Sequence, residues 1–231
     1  MNVKRTTQLI LALTSLLIIP LLGAIYVYLN HSGGPTNSLV TDLDRAIPFL
    51  KIFILPYMGW YVFLPFAFIY LAVKQREIYY ETLLQFILGL LACYTVYFLY
   101  QTYVPRPELV GSSFLTNIVR MAYSFDEPLN CFPSTHVLTS YLMMKAYLRA
   151  TSASRSIRVS VTVISLLIIA STQFIKQHVL LDIAGAIAVA EVVIFTLKRV
   201  RQYFLRSTPA ADILKLEVEL PQSVQPLKRG A

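Results

Sequence analysis

Six long apolar segments alternate with shorter polar connections along this chain of 231 residues. The apolar segments cover residues 8–29, 47–73, 82–103, 134–149, 159–175 and 179–196. A helix needs about 20 apolar residues to cross the roughly 30 Å of hydrocarbon in a bilayer. The fourth segment is short for this purpose, although the long side chain of Lys145 extends its reach toward the head groups. The pattern predicts an all-α integral membrane protein with a bundle of six transmembrane helices.

Both ends of the chain are polar. The first segment follows Lys4 and Arg5, as in a secretory signal, but its apolar run is longer and no small-residue cleavage site follows it, which favours a retained anchor. Beyond Lys198 the chain is basic, then mixed, with prolines and little periodicity. We therefore predict one membrane domain over residues 1–206 and a loosely ordered cytoplasmic tail over residues 207–231.

Lysine and arginine predict the orientation, because translocated loops are depleted of positive charge. One side carries twelve of these residues: Lys4, Arg5, Lys74, Arg76, Lys145, Arg149, Arg155, Arg158, Lys198, Arg199, Arg201 and Arg206. The other side carries five: Arg45, Lys51, Arg106, Arg120 and Lys176. We therefore expect cytoplasmic termini. The polar clusters around Arg106, His136 and His178 then share the extracytoplasmic face.

Composition agrees with the membrane assignment, with 56% hydrophobic residues, 14% charged residues and a mean hydropathy of +0.61. A soluble domain rarely reaches such values. The formal net charge of +8 does not require a nucleic-acid partner, because basic cytoplasmic loops attracted to anionic lipid account for it. The lipid bilayer is the partner that this composition predicts.

Two short motifs contain candidate chemistry. His178 and Asp182, within the sequence STQFIKQHVLLD, lie four residues apart and so share one face of a helix. Ionisable groups are expensive within a bilayer, which makes this pair a candidate functional site. His136, within CFPSTHV, supplies a second imidazole. Neither a cluster of carboxylates nor a His-x3-His pair accompanies them, so we predict no metal site and no cofactor.

The motifs PRP, PSTH and S-x6-H-x3-D, in this order, resemble the type 2 phosphatidic acid phosphatase (PAP2) superfamily. The chain departs from that family's pattern at three positions: Leu99 stands where the family has lysine, Thr135 where it has glycine and Thr172 where it has arginine. The form FPS-x-H is more similar to the inositol phosphorylceramide synthase-like subgroup. The resemblance implies a six-helix fold and metal-independent chemistry on an amphiphilic phosphate.

Phosphoester transfer requires a nucleophile, a proton donor for the leaving oxygen and positive charge near the phosphoryl oxygens. We assign the nucleophile to His178 oriented by Asp182, through a phosphohistidine intermediate, and the acid and base steps to His136. Candidate phosphate-binding residues are Arg106, Ser134, Thr135 and Lys176, with Arg120 as an alternative cation. The predicted function is a membrane-embedded lipid phosphatase acting on phosphomonoester or diphosphate lipids, or alternatively a head-group phosphotransferase.

Simpler interpretations remain open for each of these residues. Ser134 and Thr135 are residue types that ordinarily cap helix N-termini. Arg106 also fits an anchor at the membrane interface, in a turn that its neighbouring prolines stiffen. His178 and Asp182 also fit a structural hydrogen-bonded pair. For the whole chain, an ion transporter or proton-coupled transporter and a noncatalytic phospholipid-binding protein are the competing functions. The sequence predicts neither the lipid substrate nor the oligomeric state.

Overall fold

A computed structural model describes residues 3–31 and 36–206 of the chain. Within these ranges the structure is mostly helical, and its elements are α1 (Val3–Ser15), α2 (Ile18–His31), β1 (Asn37–Ser38), α3 (Asp42–Ala46), α4 (Ile54–Lys74), α5 (Arg76–Leu99), β2 (Thr102–Tyr103), α6 (Phe114–Phe125), α7 (Thr135–Arg149), α8 (Arg155–Phe174) and α9 (Leu180–Arg206). The predicted tail, residues 207–231, lies outside the described residues.

Five helical segments in the described part of the chain are long and apolar enough to cross a membrane: Thr6–Asn30, Lys51–Lys74, Arg76–Leu99, Arg155–Phe174 and Leu180–Leu205. They correspond to the first, second, third, fifth and sixth predicted segments. The fourth predicted segment is α7, whose 15 residues are fewer than a full crossing requires. The all-α membrane class is therefore supported, with five candidate spans by length and composition.

The first predicted segment forms two helices, because Pro20 lies in the first turn of α2. Proline has no N–H to donate and its ring clashes with the carbonyl four residues earlier, here that of Leu16. Near the proline, backbone hydrogen bonds join residues three positions apart instead of the four of an α-helix. The Leu17 N–H donates to the Thr14 carbonyl at 3.1 Å, and the Ile19 N–H donates to the Leu16 carbonyl at 2.9 Å. The proline thus separates α1 from α2.

The polar region expected between the third and fourth spans contains a helix, α6. Its N-terminus is capped by Ser113, whose hydroxyl oxygen accepts the N–H of Thr116 at 3.3 Å. Val119 and Ala122 on one face are buried in a cluster that also includes Ile175. Burial of this apolar face holds α6 against the start of α4 and the end of α8.

Helix α7 lies at the centre of the described bundle, packed against α4, α5 and α8. Its side chains Val137, Leu138, Leu142 and Met143 are completely buried. Because neighbouring helices cover it, α7 does not need a long apolar surface of its own to stay in place. Its N-terminus, where His136 lies, is the end at which α4 begins and α5 ends.

A two-residue parallel pairing, in which Asn37 of β1 lies opposite Thr102 of β2, joins the segments that follow α2 and α5. The hydroxyl of Thr102 also accepts the N–H groups of Cys131 at 3.1 Å and Phe132 at 2.8 Å. Thr102 therefore fixes the loop that leads into α7.

The chain divides into two compact units after Val193. The described part of the second unit is the last part of α9, where the Arg199 guanidinium lies 4.9 Å from the centre of the Phe195 ring. All site residues discussed below belong to the first unit.

Candidate active site

His178 lies in the turn between α8 and α9, and a C-terminal helix cap fixes the backbone of this turn. Lys176, two residues beyond the last residue of α8, adopts a left-handed backbone with φ 54°. Its N–H donates to the Gln173 carbonyl at 3.1 Å, and the N–H of Gln177 donates to the Thr172 carbonyl at 3.0 Å. This pair of bonds is the Schellman pattern that closes helix C-termini. The N–H of His178 donates to the same Thr172 carbonyl at 3.1 Å, which fixes the backbone of the histidine.

His178 and Asp182 are in contact, with 3.1 Å between Nδ1 and Oδ2. The same Nδ1 lies 3.0 Å from the carbonyl oxygen of Cys131. A carbonyl only accepts hydrogen bonds, so Nδ1 must carry the hydrogen, and in a neutral imidazole Nε2 is then the unprotonated nitrogen. The unprotonated nitrogen of His178, Nε2, therefore lies on the side of the ring away from Asp182.

Asp182 is almost completely buried and has several partners besides His178. Its Oδ2 accepts the N–H of Val179 at 3.0 Å, and its backbone carbonyl accepts the N–H of Ser134 at 3.2 Å. The second carboxylate oxygen, Oδ1, is buried and has no partner among the described residues. Asp182 therefore joins the first turn of α9 to the start of α7.

Ser134 and Thr135 begin α7 in the arrangement expected of helix caps. The Ser134 hydroxyl oxygen accepts the N–H of Val137 at 3.4 Å, and Ser134 is completely buried. Thr135 is the first helical residue. Their hydrogen bonds within the described part of the chain are those of a helix start, and neither residue lines the cavity that His178 lines.

His136 is buried among aromatic side chains. Its ring is stacked on Tyr57 at 4.4 Å between centres, and the Trp60 ring lies at the same distance with a tilt of 44°. Its Nε2 atom is buried and unpartnered within the described part of the chain. A buried polar atom without a partner is unusual and calls for an explanation, of which a catalytic role is one.

The rings of His136 and His178 lie 6.3 Å apart between centres, inclined by 55°. The structure therefore brings together two histidines that are 42 positions apart in the sequence. However, they line different cavities, which the sequence did not indicate. His178 lines a polar cavity of about 320 Å³, and His136 lines a largely aromatic cavity of about 290 Å³.

The polar cavity contains three cationic side chains, Arg45, Arg106 and Lys176, together with His178 and the carboxylate of Asp44. The remaining lining is mostly proline and valine. Its charges suit an anion. Arg106 and Lys176, two of the candidate phosphate-binding residues, therefore line the same cavity as His178, whereas Arg120 does not line it.

Arg106 does not present an open donor fork to this cavity. Its Nη1 donates to the Tyr123 carbonyl at 2.9 Å, its Nη2 to the Asp126 carbonyl, and its Nε and Nη2 to the Gln177 side-chain oxygen at 3.1 and 2.6 Å. The guanidinium also lies 4.3 Å from the centre of the Tyr123 ring. Four of its five N–H groups are engaged within the protein. Arg106 thus joins the C-terminal end of α6 to the α8–α9 turn, and its role in binding phosphate stays a prediction.

Lys176 is held in a similar way, since its ammonium donates to the backbone carbonyls of Asp44 and Ile47 at 2.7 and 2.5 Å. Burial lowers the pKa of Lys176, and the nearby Asp44 carboxylate opposes that shift. Asp44 also accepts the N–H of Leu180 at 2.7 Å. A carboxylate of the protein thus occupies the N-terminus of α9, where the helix dipole favours negative charge.

Asp126, which no sequence motif marked as a site residue, follows α6 and lines the aromatic cavity with His136. Its carboxylate accepts hydrogen bonds from Tyr26 at 2.7 Å and Tyr57 at 3.2 Å. Tyr57, which donates to Asp126, also stacks on His136, so Tyr57 connects the carboxylate to the second imidazole. The only signal in the sequence was a pair of adjacent acidic residues, Asp126 and Glu127, in a polar loop.

A larger cavity, about 610 Å³, lies elsewhere, between α4, α7 and α8. Apart from Tyr70 and Tyr147 its lining is apolar, and none of the candidate residues contributes to it. We therefore place the candidate site at the two smaller cavities. Within the described residues, no group of three histidine, cysteine or acidic side chains is arranged to hold a metal ion.

No protein family profile, curated protein or solved structure matches this chain. The assignment of function therefore depends on the geometry of the site.

Proposed function

We propose that this protein is a membrane-embedded phosphatase or phosphotransferase that acts on an amphiphilic phosphate through His178. One observation carries the proposal. Nδ1 of His178 is bound to the Asp182 carboxylate and the Cys131 carbonyl, which leaves Nε2 unprotonated beside a cavity with three cationic side chains. An oriented imidazole next to an anion-binding cavity is the arrangement that nucleophilic attack on phosphorus requires.

In the first step, His178 Nε2 forms a bond to phosphorus while the bond from phosphorus to the leaving oxygen breaks. His136, in its protonated form, gives its proton to that oxygen. Asp182 stabilises the positive charge that develops on the His178 ring. In the second step, neutral His136 takes a proton from water or an alcohol, whose oxygen attacks phosphorus and releases His178. Water gives hydrolysis, and an alcohol gives head-group transfer.

The distance between the two rings supports this division of roles. Catalytic proton transfer needs a separation of about 2.6–3.2 Å between heavy atoms, and attack needs the reacting atoms about 3–3.5 Å apart. Ring centres 6.3 Å apart are close enough to serve one phosphoryl group. In this proposal the phosphate enters from the polar cavity, and Arg45, Arg106 and Lys176 contribute positive potential.

In this proposal the chain crosses the membrane six times, and α7 is a short fourth crossing covered by its neighbouring helices. The termini are then cytoplasmic, and both cavities open near the extracytoplasmic ends of the helices. The distribution of lysine and arginine supports this orientation. Labelling of single cysteines placed at Glu108 and at Arg155 by a membrane-impermeant reagent tests it. We expect position 108 to react in sealed cells and position 155 to react only after permeabilisation.

The function is tested with purified full-length protein and three substrates: phosphatidate, a polyprenyl diphosphate, and phosphatidylinositol with ceramide. Products are identified by mass spectrometry, with and without a chelator. A phosphoryl group bound to His178 should appear as an acid-labile label that is lost in His178→Ala. Asp42→Asn, which changes an exposed carboxylate, is the control. Turnover that persists in His178→Ala would reject the assignment.

One observation favours a second candidate, a noncatalytic protein that binds phospholipid. Arg106 and Lys176 donate most of their hydrogen bonds within the chain, so few donors remain to stabilise the charge that develops on a phosphoryl group during its transfer. In that case no substrate in the panel would be converted and no label would form. Retained binding of phosphatidate to His178→Ala, without turnover by the unmodified protein, would identify this second function.

A further inference from the structure

The aromatic cavity beside His136 has a composition unlike that of an ordinary lipid-facing pocket. Its volume is about 290 Å³, and six aromatic side chains contribute to its wall: Tyr26, Trp60, Tyr61, Phe86, Tyr94 and Phe125. These residues come from α2, α4, α5 and α6, so the wall surrounds the cavity from several directions. Asp126 is the one acidic residue among its lining residues, and no lysine or arginine lines it.

The carboxylate of Asp126 has no cationic partner in the described part of the chain. Its two hydrogen bonds come from the uncharged hydroxyls of Tyr26 and Tyr57. Arg106 contacts the backbone carbonyl of Asp126 and forms no ion pair with the carboxylate. A carboxylate that faces an apolar cavity without a counter-ion favours a positively charged ligand.

Aromatic faces select the kind of cation. The negative face of an aromatic ring attracts an organic cation, most strongly when water is excluded, and cages of such rings bind quaternary ammonium groups. A hard metal ion requires six or more oxygen ligands, which this wall does not offer. A primary ammonium carries three N–H donors that need acceptors, and few acceptors face this cavity.

We propose that the aromatic cavity binds a quaternary ammonium group, of the choline type, with Asp126 as its counter-ion. A cavity of this size lies at the lower end of the roughly 300–1,000 Å³ usual for ligand sites, and so it suits a head group better than a whole lipid. The ammonium belongs either to free choline or to the head group of a choline phospholipid. This binding is independent of the catalytic proposal.

The chain contains a single tryptophan, Trp60, and it lines this cavity. Its indole N–H donates to the Thr139 hydroxyl at 2.9 Å. Tryptophan fluorescence of the full-length protein in detergent therefore reports on the cavity directly. We expect a saturable change on titration with choline. The neutral isostere 3,3-dimethylbutan-1-ol has the same shape without the charge, and we expect it to bind at least about tenfold more weakly.

Variants separate the contributions of charge and ring. Asp126→Asn keeps the shape and an acceptor oxygen, and we expect it to weaken choline binding by about tenfold. Tyr61→Leu should weaken binding, whereas Tyr61→Phe retains the ring and should restore most of it. Asp42→Asn, at an exposed carboxylate of α3 that does not line this cavity, is the matched control and should bind normally. Size-exclusion profiles and circular dichroism establish that each variant is folded.

A second titration distinguishes free choline from a choline phospholipid as the natural ligand. It uses a short-chain phosphatidylcholine in place of choline, with a short-chain phosphatidylglycerol as the control. Binding of either choline compound, lost in Asp126→Asn, supports the proposal and shows which source is used. Equal binding of choline and its neutral isostere, or unchanged affinity in Asp126→Asn, would overturn it. His178→Ala should bind choline normally, so failure of catalysis and failure of this site are separable.

Discussion

The carboxylate of Asp44 accepts the backbone N–H of Leu180 at 2.7 Å, across 136 positions of sequence. Its other oxygen accepts the N–H of Thr41 at 2.8 Å and completes the capping box of α3. One buried carboxylate thus caps a short helix and also the helix that carries Asp182. Its position at the N-terminus of α9 ties the loop before α4 to the candidate site.

Replacing Asp44 should destabilise the folded protein. Asp44→Ala removes the acceptor of the Leu180 N–H and leaves a helix N-terminus without its cap. We expect a loss of about 1–3 kcal/mol in the free energy of unfolding, the usual value of hydrogen bonds to a charged group. Thermal unfolding in detergent measures it. Asp42→Ala, at a side chain that is 95% exposed, should change stability by less than about 0.5 kcal/mol, and an equal loss in both variants would contradict this role.

The same carboxylate predicts a pH dependence of stability. Burial by itself would raise the pKa of Asp44, but hydrogen bonds from Thr41 and Leu180 outweigh it and hold the pKa below its usual value of 3.8. A group with a depressed pKa in the folded state stabilises the protein above its unfolded pKa. That contribution is lost as the pH falls through the folded pKa. Between pH 6 and pH 3, the unfolding temperature of the unmodified protein should therefore fall more steeply than that of Asp44→Ala.

Arg106→Lys should weaken the link between the C-terminal end of α6 and the α8–α9 turn. Lysine keeps the charge, but its ammonium cannot reach the Tyr123 and Asp126 carbonyls and the Gln177 amide at once. We expect a coupling energy of about 0.5–3 kcal/mol between Arg106→Lys and Gln177→Ala in a double-mutant cycle measured by thermal unfolding. Additive losses would show that Arg106 and Gln177 stabilise the protein independently and do not act as a clamp.

Asp182→Asn should reduce turnover by less than the roughly 10⁴-fold seen when a serine protease triad loses its aspartate. In that triad the change places the imidazole in the wrong tautomer. Here the Cys131 carbonyl also accepts from Nδ1 of His178 at 3.0 Å and keeps the hydrogen on that nitrogen. Single-turnover rates for Asp182→Asn and His178→Ala make the comparison. A loss as large as that of His178→Ala would show that the carbonyl does not hold the tautomer.

Gly185 of α9 is predicted to tolerate no side chain. A Cβ atom at this position would lie 2.4 Å from Cε2 of the Phe132 ring, in the loop that leads to His136. Gly185→Ala must displace this ring, and we expect a loss of about 1–3 kcal/mol together with reduced turnover. Gly59→Ala in α4 is the control, because nothing lies within 4 Å of the place that its added methyl group would occupy. The control should be neutral or more stable, by up to about 1 kcal/mol.

The sequence predicted the apolar segments well, because the hydrophobic thickness of a bilayer imposes a length that is visible in composition alone. It also predicted that His178 and Asp182 would meet, since only four positions separate them. The contact does not form on one face of a helix, as the spacing had suggested. His178 precedes α9, and the contact forms in the turn before the helix, where the Lys176 cap directs the chain.

The contacts of Arg106 could not be predicted in the same way. Its partners are two carbonyls and an amide oxygen from distant segments, and every residue has a backbone carbonyl, so no sequence pattern distinguishes these acceptors. Helix α6 was missed because its polar flanks obscured an apolar face that includes Val119 and Ala122. The separation of His136 and His178 into different cavities depends on the packing of Tyr57 and Trp60, which arises only when α4 meets α7.

The short length of α7 has a consequence for the membrane itself. Fifteen residues of helix extend about 22 Å, whereas the hydrocarbon layer measures about 30 Å. In the proposed six-span arrangement, with Arg149 at the cytoplasmic surface, His136 lies several ångströms below the opposite surface. For a lipid head group to reach the histidines, the outer leaflet must then be locally thinned or water must fill a recess in the protein. The acyl chains of that lipid remain in the bilayer.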